Sequence, residues 1–200
     1  MTHRLIYVIG PSGAGKDTLL SRARSLLSTF SNIHWAKRTI TRPPDGVSES
    51  HESVSTAEFF ALLKDGAFAL AWQANDLYYG IRCEELAPLE QNHWVILNGS
   101  RQYLHQIAER CPGMTVIHIT ASPEILKQRL LERGRESAEM ISERLARNIT
   151  PTVPSGCTLI EIQNNTTIEV ASAQLMSALQ TLIAAPMTTH SLTDRTRLKS

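Results

Sequence analysis

The sequence predicts an α/β fold in which a parallel sheet of five strands is flanked by helices. Three observations carry that expectation. The apolar, β-branched run Leu5-Ile6-Tyr7-Val8-Ile9 stops abruptly at a glycine, and an amphipathic stretch follows it. Short runs of four to six apolar residues then alternate with segments of helical period. The runs are nearly continuous in apolar character, as strands covered on both faces are.

Taken in order, Leu5 to Ile9 is the first strand, and Lys16 to about Leu27 the first helix. Ile33 to Lys37 is a weaker strand. Trp94 to Leu97, Thr115 to Ile119 and Cys157 to Ile162 are the other three. Helical patterns cover Arg101 to Arg110, Pro123 to Arg133, Ser137 to Asn148 and Thr167 to Ile183. Pro123 suits the first helical position, with Ser122 as the cap. The expected single domain spans 1–185, its core formed by 1–37, 84–128 and 151–185. Two insertions interrupt it: 38–83, with a helix near Thr56 to Lys64 and a strand at Phe68 to Trp72, and an arginine-rich segment, 129–150, read as a lid. Residues 186–200 form a polar tail.

The chain has 200 residues and a net charge of +1, so the overall balance points to neither nucleic acid nor a membrane surface. Cys83, Cys111 and Cys157 form no metal-binding spacing and read as reduced thiols. No signal peptide or membrane span is expected, and the predicted location is the cytoplasm. Oligomeric state is left open.

Between the first strand and first helix stands GPSGAGKDT: Gly10, Pro11, Ser12, Gly13, Ala14, Gly15, Lys16, Asp17, Thr18. Glycines let backbone N–H groups turn inward around phosphate oxygens, and the next helix points its positive end at the same place. Lys16 is expected to follow the charge of a transferring phosphoryl group. The pattern predicts ATP with Mg²⁺. A hydroxyl normally follows the lysine and holds the metal; here Asp17 stands there and Thr18 comes one later. Both are metal candidates. Asp17 suits a hard cation, but a carboxylate in the first turn is also favoured by the helix dipole alone. Asn98 ends a strand where phosphate-loop proteins often place an aspartate, which suggests that the carboxylate has moved to Asp17.

These residues resemble the guanylate kinases. Thr39-Ile40-Thr41-Arg42-Pro43 is similar to their acceptor segment, as are Val54-Ser55-x-x-Glu58-Phe59, Gly66-x-Phe68 and Tyr78-Tyr79-Gly80. Arg129-Leu130-x-x-Arg133-Gly134-Arg135 and Arg144-x-x-x-Asn148 resemble their lid. The resemblance covers about residues 4 to 183. It implies that Lys16, Arg42, Arg129, Arg133 and Arg144 are catalytic, and that Arg38, Arg42 and Tyr79 bind the acceptor.

The positions that read guanine in that family are changed. Leu70 and Ile81 replace an acidic and a hydroxyl residue, Arg38 a serine and His51 a tyrosine. Leu70 and Ile81 cannot pair with the donors of a guanine, and each unpaired donor costs about 1–3 kcal/mol. An anionic acceptor without a base is favoured, and Arg38 suits a second phosphate. In this the sequence is similar to the ribose 1,5-bisphosphate phosphokinases, which implies a small sugar phosphate and ATP as substrates.

Each assignment has a plainer alternative. The lid arginines would also serve as a solvated helix face, and Arg38 and Arg42 could pair with Glu49 or Glu52. Phe68 and Trp72 read as packing, one of Tyr78 and Tyr79 as core, and Arg82 and Arg101 as weaker cation candidates. The competing functions are a nucleoside monophosphate kinase, a silent binding module, and a GTPase. The retained Gly10, Gly15 and Lys16 argue against the second, and the lack of an N-K-x-D segment against the third.

Overall fold

The computed structural model describes residues 4–42, 51–74, 76–134, 140–142, 145 and 151–184. The expected parallel sheet is present. Its strands are β1 (Leu5–Ile9), β2 (Ile33–Trp35), β7 (Trp94–Asn98), β8 (Thr115–Thr120) and β9 (Thr158–Gln163), in the order β2-β7-β1-β8-β9. All of their pairings are parallel. β1 is the centre, with β7 and β8 on either side. The chain leaves β1 toward β7 and β2 and later crosses to β8, so the C-terminal ends of β1, β7 and β8 mark the point where strand order reverses. That is where an open α/β sheet leaves a crevice for ligands.

Alternate residues of β1 serve two cores, because side chains in a strand point to opposite faces. Ile6 and Val8 join Ile96, Ile117 and Ile119 beneath α1 (Lys16–Leu26), α4 (Pro123–Arg133) and the C-terminal helix α5 (Ile168–Ala184). Leu5, Tyr7 and Ile9 join Val95, Leu97 and Val116 on the other face, under α3 (Leu104–Arg110). Ser122 caps α4 through its hydroxyl, with Pro123 at the first helical position. The stretch expected as a helix from Arg101 opens with a 3₁₀ turn, Arg101–Tyr103, and becomes α-helical at Leu104.

The region 38–83 builds a second sheet in the order β4-β3-β6-β5, from β3 (Arg38–Ile40), β4 (Glu52–Ser53), β5 (Phe68–Ala74) and β6 (Leu77–Arg82). A bulge between Phe68 and Leu70 reverses the facing of β5. Phe68 lies across Gly80 and stacks on Phe59 of α2 (Thr56–Lys64), at 4.7 Å between ring centroids. Leu70, two residues on, faces the main core with Trp72, Tyr79 and Ile81. Phe68 and Trp72 are packing residues, as the sequence suggested. In Val54-Ser55-x-x-Glu58, Ser55 and Glu58 form a capping box at the start of α2: the Ser55 hydroxyl accepts from the Glu58 N–H, and the Glu58 carboxylate from the Ser55 N–H. No helix among the described residues is long and apolar enough to cross a membrane.

Candidate active site

The glycine loop sits where strand order reverses, between the end of β1 and α1. A side chain at Gly10 would place its Cβ 2.0 Å from the Ile119 carbonyl oxygen. Gly15 precedes α1 in the left-handed region, φ 85°, and a Cβ there would lie 2.5 Å from Asn164 Nδ2. Only glycine fits both the angle and the space. Asn164, at the end of β9, donates from Nδ2 to the Ala14 carbonyl over 2.9 Å, while its own N–H bonds the Thr120 carbonyl. It braces the loop from a strand 150 residues away in sequence. The sequence reading gave it no role; an asparagine just beyond a strand end was the available signal.

Lys16 donates from Nζ to the carbonyls of Gly10, 2.8 Å away, and Pro11, at 3.1 Å. Burial pushes its ammonium down to about 8; Asp17 opposes this, while Arg38, Arg101 and Arg133 add to it. The lysine is therefore held at the loop, where the charges of Asp17 and three arginines act on it.

Asp17 stands in the first turn of α1, where the helix dipole favours a carboxylate, and no side-chain hydrogen bond caps that helix. Its Oδ1 accepts from Asn98 Nδ2 at 2.8 Å and lies 3.5 Å from an Arg38 guanidinium nitrogen. The carboxylate thus stands beside the strand-end amide, as the idea of a relocated acid requires, and ties the loop to the acceptor sheet. Thr18 is exposed, one position along the helix. Successive helical residues point roughly 100° apart, so the two metal candidates do not face the same way.

On the acceptor side, Arg42 Nη2 lies 3.4 Å from the Tyr79 hydroxyl, and the Arg38 guanidinium sits over the Tyr79 ring, 6.0 Å from its centroid. Tyr79 is buried and stacks on Trp72, its cross-strand partner, with the rings 6° from parallel. Tyr78 faces the other way and packs with Phe59 and Phe60. Glu52 does not take Arg38. It binds Arg82 through two hydrogen bonds of 2.6 and 2.8 Å and accepts the Thr39 hydroxyl at 2.6 Å. Those bonds hold its carboxyl below the usual range against the opposing effect of burial. Glu49 lies outside the described residues. His51 bonds Ser53, Nε2 to Oγ, at 3.1 Å. Leu70 and Ile81 are paired across β5 and β6, both at most 3% exposed. They face each other in an apolar core.

Arg129 and Arg133 stand on α4. Arg129 Nη1 reaches the Gly13 carbonyl over 3.4 Å, and Arg133 is exposed, though near enough for its charge to act on Lys16. Arg144 lies outside the described residues. Among the described residues no cluster of three or more His, Cys, Asp or Glu side chains is placed to hold a metal by itself.

The chain matches the guanylate kinase family model over residues 2–182. It is 43% identical over 179 residues to a ribose 1,5-bisphosphate phosphokinase of Burkholderia pseudomallei, covering 90% of this chain and 96% of that protein. It is 40% identical over 173 residues to a bifunctional ribose 1,5-bisphosphokinase-thymidine phosphorylase of Azorhizobium caulinodans, covering 86% of this chain but only 25% of the longer protein. The crystal structure of guanylate kinase from Anaplasma phagocytophilum superposes with a TM-score of 0.64 at 16% identity, over 88% of this chain and 84% of that one, and establishes the shared fold. A loop with its lysine intact and these similarities agree: the chain belongs to the guanylate kinase family, among its ribose 1,5-bisphosphate phosphokinases.

Proposed function

We propose that the chain is an ATP-dependent kinase that phosphorylates the 1-phosphate of ribose 1,5-bisphosphate, giving 5-phosphoribosyl 1-diphosphate and ADP. It acts on small molecules in the cytoplasm. The observation that carries this reading is the pairing of Leu70 with Ile81 in the second sheet of a chain whose phosphate loop keeps its lysine. A guanine would leave its donors unsatisfied against those two side chains, whereas a sugar bisphosphate asks nothing of them. The ribose 1,5-bisphosphate phosphokinase of Burkholderia pseudomallei supplies the acceptor's name.

An oxygen of the acceptor's 1-phosphate, already ionised near neutral pH, attacks the γ-phosphorus of ATP. A new P–O bond forms, the bond to the β–γ bridging oxygen breaks, and ADP leaves with that electron pair. No side chain need remove a proton. The protein supplies in-line positioning and charge. Lys16 serves the transferring group. Arg38, Arg42 and Tyr79 are assigned to the acceptor, and Arg129 and Arg133 to the ATP phosphates, with Arg144 added to them from the family resemblance alone. Mg²⁺, when bound, would neutralise phosphate charge. Asp17 fits such an ion, since its half-exposed carboxylate offers a hard oxygen at the mouth of the loop; Thr18, exposed, is the second candidate.

The test is turnover with Mg·ATP followed by phosphorus NMR, with ribose 1,5-bisphosphate and GMP as parallel acceptors and Lys16→Ala as control. Formation of the diphosphate from the sugar alone is expected. Turnover of GMP instead would refute the argument from Leu70 and Ile81. If Asp17→Asn leaves the Mg²⁺ concentration needed for half-maximal rate unchanged, Asp17 is not a metal ligand.

A further inference from the structure

We propose that Asn98 is a positioning residue for the divalent cation: its amide fixes the Asp17 carboxylate by one oxygen, so that the other is presented to an ion held with the nucleotide phosphates. This rests on the reading of the glycine loop as an Mg·ATP site and is independent of the acceptor. Asn98 is the last residue of β7, paired with Val8 of β1, and is 1% exposed. Val8 belongs to the core beneath α1, so the register turns Asn98 to that face, toward the start of the helix. The backbone after it is held on both sides. The Gly99 N–H bonds the Val8 carbonyl over 2.9 Å, and a Cβ at Gly99 would stand 2.1 Å from the Tyr7 ring. The Tyr7 hydroxyl accepts from the Ser100 N–H and donates to the Ser100 carbonyl, both at 3.0 Å. The amide therefore projects from a fixed strand end.

Both hydrogen bonds to the Asp17 carboxylate among the described residues fall on one oxygen. Asn98 Nδ2 donates to Oδ1 over 2.8 Å, and Arg38 Nη2 lies 3.5 Å from the same atom. Oδ2 takes neither bond. The Asp17 side chain is 43% exposed while Asn98 is buried, so the carboxylate has an anchored side and an open side. An amide suits the anchoring place. It donates through its NH2 and carries no charge, whereas a carboxylate there would be buried and hydrogen-bond distance from a second negative group. The strand end thus orients and the loop acid binds. Hydrogen bonds of this outer kind fix the direction of a metal-binding oxygen and tune its affinity.

Mn²⁺ is the probe, since it takes the same oxygen ligands as Mg²⁺ and is counted by electron paramagnetic resonance. Its dissociation constant is measured on protein saturated with β,γ-imido-ATP, for the native chain, Asn98→Ala, Asp17→Asn and the double variant. Asn98→Leu, which keeps the volume and loses the donor, is measured beside them. Melting curves confirm folding, and calorimetry in EDTA gives the affinity for metal-free nucleotide. Asn98→Ala and Asn98→Leu are expected to weaken Mn²⁺ by roughly tenfold and leave metal-free nucleotide within about twofold. Beside Asp17→Asn, the loss of the amide should make no further difference, because no carboxylate remains for it to orient. A folded Asn98 variant with native Mn²⁺ affinity, or an effect that persists in full beside Asp17→Asn, overturns the proposal. Equal weakening of the metal-free nucleotide also overturns it, by marking a structural role. A native protein that does not bind the nucleotide refutes the reading of the loop, and the proposal with it.

Discussion

The phosphate loop and the acceptor sheet sit on the same crevice and are held by different means. The loop is shaped by backbone: two glycine positions that admit no side chain, carbonyls that take Lys16, and one asparagine brace. The acceptor sheet is shaped by paired side chains: Leu70 against Ile81, Trp72 on Tyr79, Glu52 on Arg82. A site made of backbone keeps its ligand chemistry wherever it occurs, because every residue except proline supplies the same N–H. A site made of side chains changes ligand with a few substitutions. Under the proposed function, the loop is the general half of the site and the second sheet the half that would set specificity.

That contrast can be broken most directly at Lys16. Lys16→Met should lower kcat by roughly 100-fold to 1,000-fold, the scale of losing a positioned electrostatic group. It should not lower the melting temperature, because the ammonium is held at the loop against a burial penalty. Leu70→Ala should destabilise the protein by about 2–5 kcal/mol through the cavity it leaves. By melting and acceptor titration, its effect should fall on the acceptor KM more than on that for ATP. Gly15→Ala should cost about 1–3 kcal/mol through its positive φ and displace Asn164. Here the KM for ATP should rise while that for the acceptor changes little. Equal effects of the Leu70 and Gly15 variants on both substrates would erase the division between the halves.

Smaller effects sharpen it. Tyr79→Phe keeps the stack on Trp72 and removes only the hydroxyl 3.4 Å from Arg42, so a rise of about twofold to fivefold in the acceptor KM is expected, with stability unchanged. Proton uptake gives the finest measure. With its ammonium lowered to about 8, Lys16 is partly deprotonated near that pH, and phosphates raise it again. Calorimetry of Mg·ATP binding in buffers of different ionisation enthalpy should show uptake of a fraction of a proton at pH 8 and almost none at pH 6. The sign for stability follows from the same shift. Between about 8 and 10.5 the unfolded chain keeps a proton that the folded one has released, so the contribution of Lys16 to stability rises with pH there. Lys16→Met should remove both effects.

Much of the core was legible in the chain. The strand runs at Leu5, Trp94 and Thr115, the cap at Ser122 and the loop from Gly10 to Thr18 all announce themselves locally, through period, β-branching and glycine spacing. Other features depend on contacts between distant residues. The bulge at Phe68 turns Leu70 toward the core only because β6 offers Gly80 for the Phe68 ring to cross. Asn164 matters only because β9 ends beside Ala14. From sequence Glu52 reads as a candidate partner of Arg38, yet strand register sets it against Arg82, and Arg38 reaches Asp17.

By itself, then, the sequence determined a strand, a glycine loop and a helix, and a lysine placed to follow phosphate. Those depend on φ preferences and side-chain chemistry, which each residue carries with it. Only the tertiary structure decided that Asp17 meets Asn98 and Arg38, and that Leu70 meets Ile81. Those are matters of which strand ends lie together, and sheet order and register, not any single residue, fix that.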